Sequence, residues 1–283
     1  GSAAYFCASA AFDFKPGDAV IIPAFGWITD YNMVRLFGAT PVFAEIDKSL
    51  NISPKAVREK ITKKTKAIVV IHYQGGAARM DELASIAREH GIYLIEDVAQ
   101  ACGACFQGKL LGTWGDIACF SLQTRKMITA GDGGFLITNN QEFFEKAVRY
   151  HDLGMLREVF EKRLKGPIIT GPTLGSQLRM NELTGAAALA QFRKLPQILE
   201  RVKKSFLYIR DRISSAFPDL SFRAIDPEND GGILLAFDLK TPERVSEFKE
   251  AFESLWFNYG PSSWCETMGN IDVVKQDLLR CGA

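Results

Sequence analysis

The amino-acid sequence predicts an α/β protein with a large layered domain built on a mainly parallel sheet, followed in the chain by a smaller α+β domain. Over the first two-thirds of the 283 residues, short apolar segments alternate with segments of helical periodicity, which is the pattern of a parallel sheet covered by helices. From residue 196 onward the predicted order changes to helix, strand, strand and helix. We therefore assign residues 1–195 to the large domain and 196–283 to the small one, which we expect to be incomplete.

Five apolar segments of the large domain are predicted to be strands. Each is short, rich in β-branched side chains and bounded by Gly, Pro or Asp, and continuous apolar runs of this kind are typical of strands buried on both faces. The predicted strands are 19–25, 66–73, 92–99, 117–122 and 134–139.

Helices are predicted at the start of the chain and between or after these strands. Residues 80–90 repeat apolar side chains at helical spacing and stop at Gly91, a residue suited to a helix end. Asn140 is a predicted cap for a second amphipathic segment. The remaining predicted helices are 181–195 and, after Pro196, 198–216.

Composition and charge exclude several classes of protein. The chain is 47% hydrophobic and 24% charged, as in ordinary globular proteins. Its 34 basic and 33 acidic residues leave a net charge of +1, so no overall field attracts nucleic acid or an anionic membrane. No apolar run reaches the roughly 20 residues of a membrane span, and no charged segment precedes the apolar start as in a signal peptide. We expect a cytoplasmic protein that binds neither nucleic acid nor membranes.

Six cysteines are scattered along the chain. Most lie in apolar surroundings, which suits reduced thiols in the cytoplasm. Cys102 and Cys105 form one C-x-x-C pair without a second pair or neighbouring histidines. We therefore favour buried packing thiols over a redox pair or a metal site.

Two segments carry residues suited to catalysis. Asp97 ends a very apolar predicted strand, where a carboxylate is costly to bury without a positive partner and where α/β sheets bind ligands. A carboxylate that caps the next turn is the alternative. Lys126 follows a buried strand and precedes Gly131, Gly133 and Gly134. A lysine in an apolar setting loses its charge readily, and the neutral amine forms Schiff bases; a solvated loop lysine is the alternative.

Two further features suit a flat, phosphorylated ligand. The predicted helix start GSAAYF leaves backbone N–H groups free to bind an anion, although Ser2 could be an ordinary cap. Trp27 follows a strand end, where its ring could stack on a heteroaromatic group or pack in the core. A carboxylate, a nucleophilic lysine, an anion site and an aromatic ring are together what pyridoxal 5'-phosphate (PLP) requires.

Several blocks of the sequence resemble the DegT/StrS-type sugar aminotransferases, PLP-dependent enzymes of the aspartate aminotransferase fold (fold type I). The blocks are PGDAVIIPAF, FGATPVFAEID, IEDVAQACGA, GTWGDIACFSLQTRKMITAGDGG and LRMNELTGAAALAQFRKL. Their order and spacing are specific, whereas no single block would be. The resemblance runs from Gly1 to about Leu195, and it implies a three-layer large domain that binds PLP.

The resemblance implies a role for several residues of this chain. Lys126 matches the lysine that forms a Schiff base with the cofactor, and Asp97 matches the acid paired with the pyridine nitrogen. The further implied cofactor contacts are Gln100 near the ring hydroxyl, Trp27 on the ring face, and Ser2, Ala3 and Ser121 at the phosphate.

One stretch departs from the family pattern. The family has G-x-N-x-R, whose Asn reaches the phosphate bound by the neighbouring subunit, whereas this chain has GSQLR. Gln177 therefore stands at the Asn position, which lengthens that contact or removes it. Arg179 matches an arginine with a mainly structural role. A contact shared between subunits implies a homodimer with its active sites at the interface.

The implied activity is the transfer of an amino group from glutamate or glutamine to a ketone on a nucleotide-linked or free sugar, or on a cyclitol. A PLP-dependent sugar dehydratase is an alternative, but that branch typically has His at the position of Lys126. A non-catalytic PLP-binding regulatory protein is another, although Lys126, Asp97 and Gln100 are all present. A nicotinamide dehydrogenase is a third, yet no G-x-G-x-x-G follows a predicted strand.

Overall fold

The computed structural model describes residues 1–253, 266–267 and 271–280 of the chain. Helices and strands alternate along its first half, as the sequence predicts. The strands are β1 Ala19–Pro23, β2 Phe25–Gly26, β3 Thr40–Ala44, β4 Thr65–Ile71, β5 Tyr93–Asp97, β6 Cys105–Phe106, β7 Lys109–Leu110, β8 Ile117–Ser121, β9 Gly134–Ile137, β10 Ser221–Phe222, β11 Phe237–Asp238 and β12 Glu266–Thr267. The helices are α1 Ser2–Phe12, α2 Ile28–Arg35, α3 Pro54–Lys60, α4 Met80–His90, α5 Gln141–His151, α6 Glu158–Glu161, α7 Glu182–Ala216, α8 Pro242–Glu253 and α9 Asp272–Arg280.

Six strands form the central sheet in the order β3-β1-β4-β5-β8-β9. The first five run parallel, and β9 pairs antiparallel with β8. The prediction of a mainly parallel sheet is therefore confirmed. The sequence analysis did not include β3 among the strands. This strand lies at the edge of the sheet, contains Pro41 and is partly exposed, so it lacks the continuous apolar pattern of the central strands.

Helices cover both faces of this sheet, which gives the molecule three layers. Successive side chains of a strand point to opposite faces. In β1, Val20 and Ile22 share a core with α1, α2 and α5, whereas Ile21 shares a core with α3 and α4. All three side chains are fully buried, and each contributes roughly 1.5–3 kcal/mol by its burial. The continuous apolar pattern of the central strands arises because both faces of the sheet are covered.

The ends of the large-domain helices follow the predicted signals. Gly91 ends α4 in the left-handed conformation, with φ of 62°, which glycine adopts without a steric penalty. The side chain of Asn140 caps α5 by accepting a hydrogen bond from the Phe143 N–H. Helix α1 begins at Ser2 without a side-chain cap, so its first N–H groups have no acceptor within the helix.

Helix α7 is one continuous helix of 35 residues, whereas the sequence predicted two helices separated at Pro196. Proline inside a helix costs about 3 kcal/mol, which is why a break was expected. Tertiary packing supports the continuous helix, because Leu195 is buried and both Leu195 and Leu199 lie against Gly103 of the large domain. The predicted boundary between residues 195 and 196 falls within α7 and stays a prediction.

The part of the chain after α7 has the predicted order of strand, strand and helix. Strands β10 and β11 pair antiparallel. The Phe237 ring lies 5.9 Å from that of Phe222 and 5.5 Å from that of Phe248 in α8. These aromatic contacts join the strand pair to the helix in a small α+β unit.

Candidate active site

A cavity of about 1170 Å³ lies at the carboxyl ends of β5 and β8. This edge of a parallel sheet is where α/β proteins bind ligands. Seven of the eight predicted site residues line the cavity, namely Ser2, Ala3, Trp27, Asp97, Gln100, Ser121 and Lys126. The fold thus brings together side chains from segments that are far apart in the sequence.

One end of the cavity is formed by the start of α1. The Ser2 hydroxyl lies 3.1 Å from Thr29 Oγ1, and a Cβ on Gly1 would lie 3.1 Å from Ser121 Oγ. Ser121 is therefore adjacent to the free N–H groups of the first helical turn. These donors and the helix dipole together favour an anion at this end of the cavity.

Lys126 lies half-buried in the turn that joins β8 to β9. Its backbone N–H donates to the Gln123 carbonyl at 3.0 Å. Gly131 and Gly133 have positive φ angles of 84° and 112°, which strongly favour glycine. Gly134 leaves no room for a side chain, because a Cβ there would lie 2.4 Å from a backbone oxygen. The glycines noted in the sequence therefore shape the turn that places Lys126 in the cavity wall.

Asp97 is the last residue of β5, and its side chain is buried. Its Oδ1 accepts a hydrogen bond from the Ala99 N–H at 2.7 Å, so the turn-capping role considered as an alternative is also present. Burial raises the pKa of Asp97, while Tyr5, the Ala99 N–H and Lys126 act in the opposite direction. A cationic group of a ligand beside this carboxylate would offset the cost of its burial.

Two buried groups near Asp97 were missed by the sequence analysis. Tyr5 lines the cavity, yet in the described part of the chain its hydroxyl makes no hydrogen bond of standard geometry. Both carboxyl oxygens of Asp30 are likewise buried and lack such a partner there. Burial, and then the charge of Asp97, raises the pKa of Asp30 well above its usual range. An Asp in the first turn of a helix is typically exposed and favoured by the helix dipole, so nothing local predicts this burial.

Gln100 is oriented by a residue that the sequence analysis also missed. Its Oε1 accepts a hydrogen bond from the Gln74 N–H at 2.9 Å. Because a backbone N–H can only donate, the amide oxygen faces Gln74 and the NH₂ end is left for a ligand. Gln74 has φ of 47°, which is uncommon for a residue with a side chain. No local sequence signal marks this backbone conformation.

Of the two remaining predicted site residues, Trp27 lines the cavity and Gln177 does not. Trp27 is the N-cap of α2 and is 39% exposed. Gln177 does not line this cavity; it is exposed, and its backbone pairs with that of Asp152. The resemblance assigns Gln177 to the cofactor site of a neighbouring subunit, and that contact stays a prediction.

Arg179, two residues after Gln177, does line the cavity. The buried carboxylate of Asp152 pairs with Arg157 and, at 3.3 Å, with Arg179. Arg157 through its hydrogen bond, and Arg179 through its charge, lower the pKa of Asp152. This network orients the segment that leads into α7, and it also places a positive charge at the cavity wall.

The described residues contain no group of three or more metal-binding side chains. Cys102 is buried and Cys105 is partly buried, and both are free thiols. Cys265 and Cys281 lie outside the residues that the structure describes. No helix in the described part of the chain has the length and the apolar character needed to cross a membrane.

The groups in the cavity match those that PLP requires. PLP needs an amine for its aldehyde, an acid for its pyridine nitrogen and donors for its phosphate. Lys126, Asp97 and the free N–H groups beside Ser121 line one cavity with these properties. The buried Tyr5 hydroxyl adds a further polar atom beside Asp97, whose pKa it lowers. The three-layer fold and this set of groups are characteristic of one class of proteins, the fold type I PLP-dependent enzymes.

The chain belongs to the DegT/DnrJ/EryC1/StrS aminotransferase family, whose model matches residues 1–255. The match therefore extends well beyond residue 195, where the resemblance judged from motifs ended.

Three known proteins illustrate this relationship. The chain is 36% identical to GDP-perosamine synthase of Vibrio cholerae over 201 residues, which make up 71% of this chain and 53% of that protein. It is 27% identical to 3-amino-5-hydroxybenzoic acid synthase, with a TM-score of 0.82 over 96% of this chain and 70% of that one. It is 25% identical to GDP-4-keto-6-deoxymannose-3-dehydratase, with a TM-score of 0.83 over 97% and 75% of the two chains. The chain spans about half the length of the curated relative.

Proposed function

We propose that this protein is a PLP-dependent aminotransferase that passes an amino group from glutamate or glutamine to a keto-sugar or keto-cyclitol. The observation that carries the proposal is the convergence of Lys126, Asp97 and Gln100 in one cavity that also contains the start of α1. Two of the relatives above are named for GDP-linked sugars. These names favour a nucleotide-linked keto-sugar as the acceptor.

In this proposal Lys126 has two tasks. Its Nζ would hold the cofactor through the aldehyde carbon, and the same amine, once free, would accept the proton from the donor's α-carbon. PLP supplies the electron-accepting ring that stabilises the negative charge left on that carbon. Lys126 lines the cavity and is half-buried, which limits the contact of its side chain with bulk water.

Asp97 and Gln100 hold the two edges of the cofactor ring in this proposal. The Asp97 carboxylate keeps a proton on the ring nitrogen, because a buried ion pair of this kind is far stronger than one at the surface. The Gln100 NH₂ group donates to the ring oxygen. Ser121 and the first N–H groups of α1 bind the phosphate.

A sugar dehydratase with the same cofactor is the second candidate, because the structure is similar to that of GDP-4-keto-6-deoxymannose-3-dehydratase. Lys126 favours the aminotransferase, since the dehydratase branch of the family that the sequence resembles typically has His at this position. A cofactor-binding protein without catalysis is also distinguishable, because it would not react with amino acids.

The colour of the protein with PLP separates an enzyme that reacts with amino acids from a cofactor-binding protein without catalysis. A lysine-bound cofactor absorbs at about 420 nm, and we expect glutamate or glutamine to bleach this band in an aminotransferase. Reduction with borohydride followed by mass spectrometry should place a pyridoxyl group on Lys126. A label on another residue, or an unlabelled protein, would contradict the assignment.

We expect Lys126→Ala to abolish the absorption band and to lower turnover at least about 1,000-fold, because it removes both the covalent bond and the proton acceptor. Absorbance and a coupled assay of the amino donor measure the two effects. Lys63→Ala is the matched control, since Lys63 is exposed in a surface turn. Full activity of the Lys126→Ala variant would refute the proposed function.

We also propose a cytoplasmic homodimer whose active sites lie at the interface between subunits. The segment that contains Gln177 is flanked by large apolar side chains, with Leu174 91% and Leu183 86% exposed. Clustered apolar side chains of this size are typical of interaction surfaces. Cys7, Cys102, Cys105 and Cys119 are free thiols, which suits a reducing compartment.

A further inference from the structure

We propose that Arg223, on the strand pair that follows α7, is a positioning residue for the cavity: it holds the turn at residues 73–76 and thereby orients Gln100. This inference rests on the proposed function, since Gln100 is there a contact of PLP. Arg223 itself does not line the cavity.

Arg223 makes four hydrogen bonds with its guanidinium group. Its Nε and Nη2 donate to Asp230 Oδ2 at 2.9 and 2.6 Å, its Nη1 donates to the Tyr73 carbonyl at 2.9 Å, and its Nη2 also donates to the Gln74 carbonyl at 3.2 Å. The side chains of Arg223 and Asp230 are only 4% and 3% exposed. A buried charge pair with this geometry is strongly directional, so it defines where the two carbonyl groups lie.

The turn held by Arg223 has a backbone conformation that needs external support. Gln74 has φ of 47° and ψ of 45°, a left-handed conformation that is sterically unfavourable for a residue with a side chain. Asn51 supports the turn from the other side, because it accepts from the Tyr73 N–H at 2.8 Å and donates to the Gly76 carbonyl at 3.2 Å. The Gly231 N–H adds a bond to the Gly75 carbonyl at 2.8 Å.

The left-handed conformation of Gln74 directs its N–H toward Gln100. That N–H donates to Gln100 Oε1 at 2.9 Å, which leaves the Gln100 NH₂ group as the donor toward the cavity. A turn that relaxed would lose this bond, and the amide could then rotate and present its oxygen to the ring oxygen of the cofactor. Arg223 therefore acts on the cofactor contact through Gln74.

Lysine could not reproduce this arrangement. Arginine places several donors in one rigid plane, whereas the lysine amine is a single point on a flexible chain. Arg223→Lys thus keeps the charge that pairs with Asp230 but loses the simultaneous bonds to two carbonyl groups. This makes it the most informative substitution.

The decisive experiment compares Arg223→Lys in two backgrounds. In the otherwise unchanged protein we expect PLP to bind about tenfold more weakly by absorbance titration, which is the usual effect of one lost hydrogen bond. In the Gln100→Ala background we expect the same substitution to change binding less than about twofold, because the residue through which Arg223 acts is absent. An equal loss in both backgrounds would show a merely structural role and overturn the proposal.

Hydrogen exchange of the apoprotein provides a readout that needs no cofactor. We expect the Gln74 N–H to exchange at least about tenfold faster in Arg223→Lys. Arg244→Lys is the matched control, because Arg244 also pairs with an aspartate, Asp219, but at the exposed surface. Unchanged exchange at Gln74 would overturn the proposal even in a protein that binds PLP. Faster exchange in a protein that never binds PLP would instead refute the proposed function alone.

Asp230→Asn serves as a second variant if Arg223→Lys does not fold. It keeps Arg223 and an acceptor oxygen but removes the charge that aligns the guanidinium group. We expect a smaller effect in the same direction, about threefold on PLP binding, and again none in the Gln100→Ala background. If Asp230→Asn weakened PLP binding in the Gln100→Ala background as well, that result would contradict the inference.

Discussion

Two buried carboxyl groups determine much of the electrostatics beside the cavity. Asp97 and Asp30 are both buried, and the charge of Asp97 adds to the burial that raises the pKa of Asp30. Two ionised carboxylates at this depth would be costly. We therefore expect Asp30 to keep its proton while Asp97 is the group that ionises and pairs with a cation.

We expect Asp30→Asn to stabilise the apoprotein more at pH 8 than at pH 5. The folded pKa of Asp30 is raised above its unfolded value, so the folded chain binds this proton more tightly. The free energy of unfolding therefore falls as the pH rises from the unfolded value toward the folded one. Asn has no such proton, so the free energy of unfolding of the variant at pH 8 should exceed that of the wild type by about 1 kcal/mol or more. Urea denaturation measures this difference.

The control for this experiment is Asp211→Asn, an exposed position on α7 that should not change the pH dependence. If the free energy of unfolding of Asp30→Asn differed from that of the wild type by the same amount at pH 5 and pH 8, the Asp30 carboxyl would not hold its proton as we describe.

At the scale of secondary structure elements, the antiparallel pair β8 and β9 places the lysine turn. The two strands join Ser121 to Gly134 in register, and the turn between them contains Lys126. Gly134 is packed against backbone on two sides, because a Cβ there would lie 2.4 Å from the Phe120 oxygen and 2.7 Å from the Gly1 nitrogen. Only a residue without a side chain at position 134 therefore allows the strand pair, the start of α1 and the lysine turn to pack together this closely.

We expect Gly134→Ala to destabilise the protein by about 1–3 kcal/mol, because backbone atoms must move to admit the methyl group. It should also weaken PLP binding at least about tenfold, since the strand end and the helix start shift together. Thermal denaturation and absorbance titration measure the two effects.

Gly131→Ala is the matched control in the same turn. Gly131 also has a positive φ, but a Cβ there would meet no atom of the described residues within 4 Å. Only the backbone strain remains, about 1–2 kcal/mol, and PLP binding should be nearly unchanged. Equal PLP binding by the two variants would contradict the role given to close packing at Gly134.

At the scale of the whole molecule, the cavity depends on segments from both parts of the chain. Gly232 and Ile233, which follow α7 in the sequence, line it together with Ser2 and Asp97. Gln177 itself is exposed and does not line the cavity, although Arg179 does, and Leu174 and Leu183 on either side of it in the sequence are exposed as well. We expect a second subunit to cover the segment around Gln177 and to complete each cavity.

We expect Leu183→Asp to weaken the proposed dimer at least about 100-fold, because an unpaired charge would then be buried at the interface. Size-exclusion chromatography with light scattering should show a shift from dimer to monomer at low protein concentration. Tyr208→Asp is the control, since Tyr208 is 65% exposed on the other half of α7. A wild-type chain that is monomeric, or a Leu183→Asp protein that remains dimeric, would refute this interface.

The elements predicted correctly are those whose signals are local. The central strands have continuous apolar patterns, and α4 and α5 have a terminal glycine and an asparagine cap. Strand β3 and the continuity of α7 were missed because each depends on partners elsewhere in the chain. An edge strand needs no continuous apolar pattern, and Pro196 is tolerated where Leu195 and Leu199 pack against Gly103.

The sequence by itself determined the layered fold class and marked Lys126 and Asp97 as candidate site residues, because helix and strand periodicity and the residues that end a strand are properties of short segments. The resemblance to a known family added Gln100. Only the tertiary structure decided that Asp30 is buried near Asp97 and that Arg223 supports the turn of Gln74. These contacts join residues far apart in the chain, and their free energies depend on burial and on hydrogen-bond geometry. No pattern of neighbouring residues encodes either quantity.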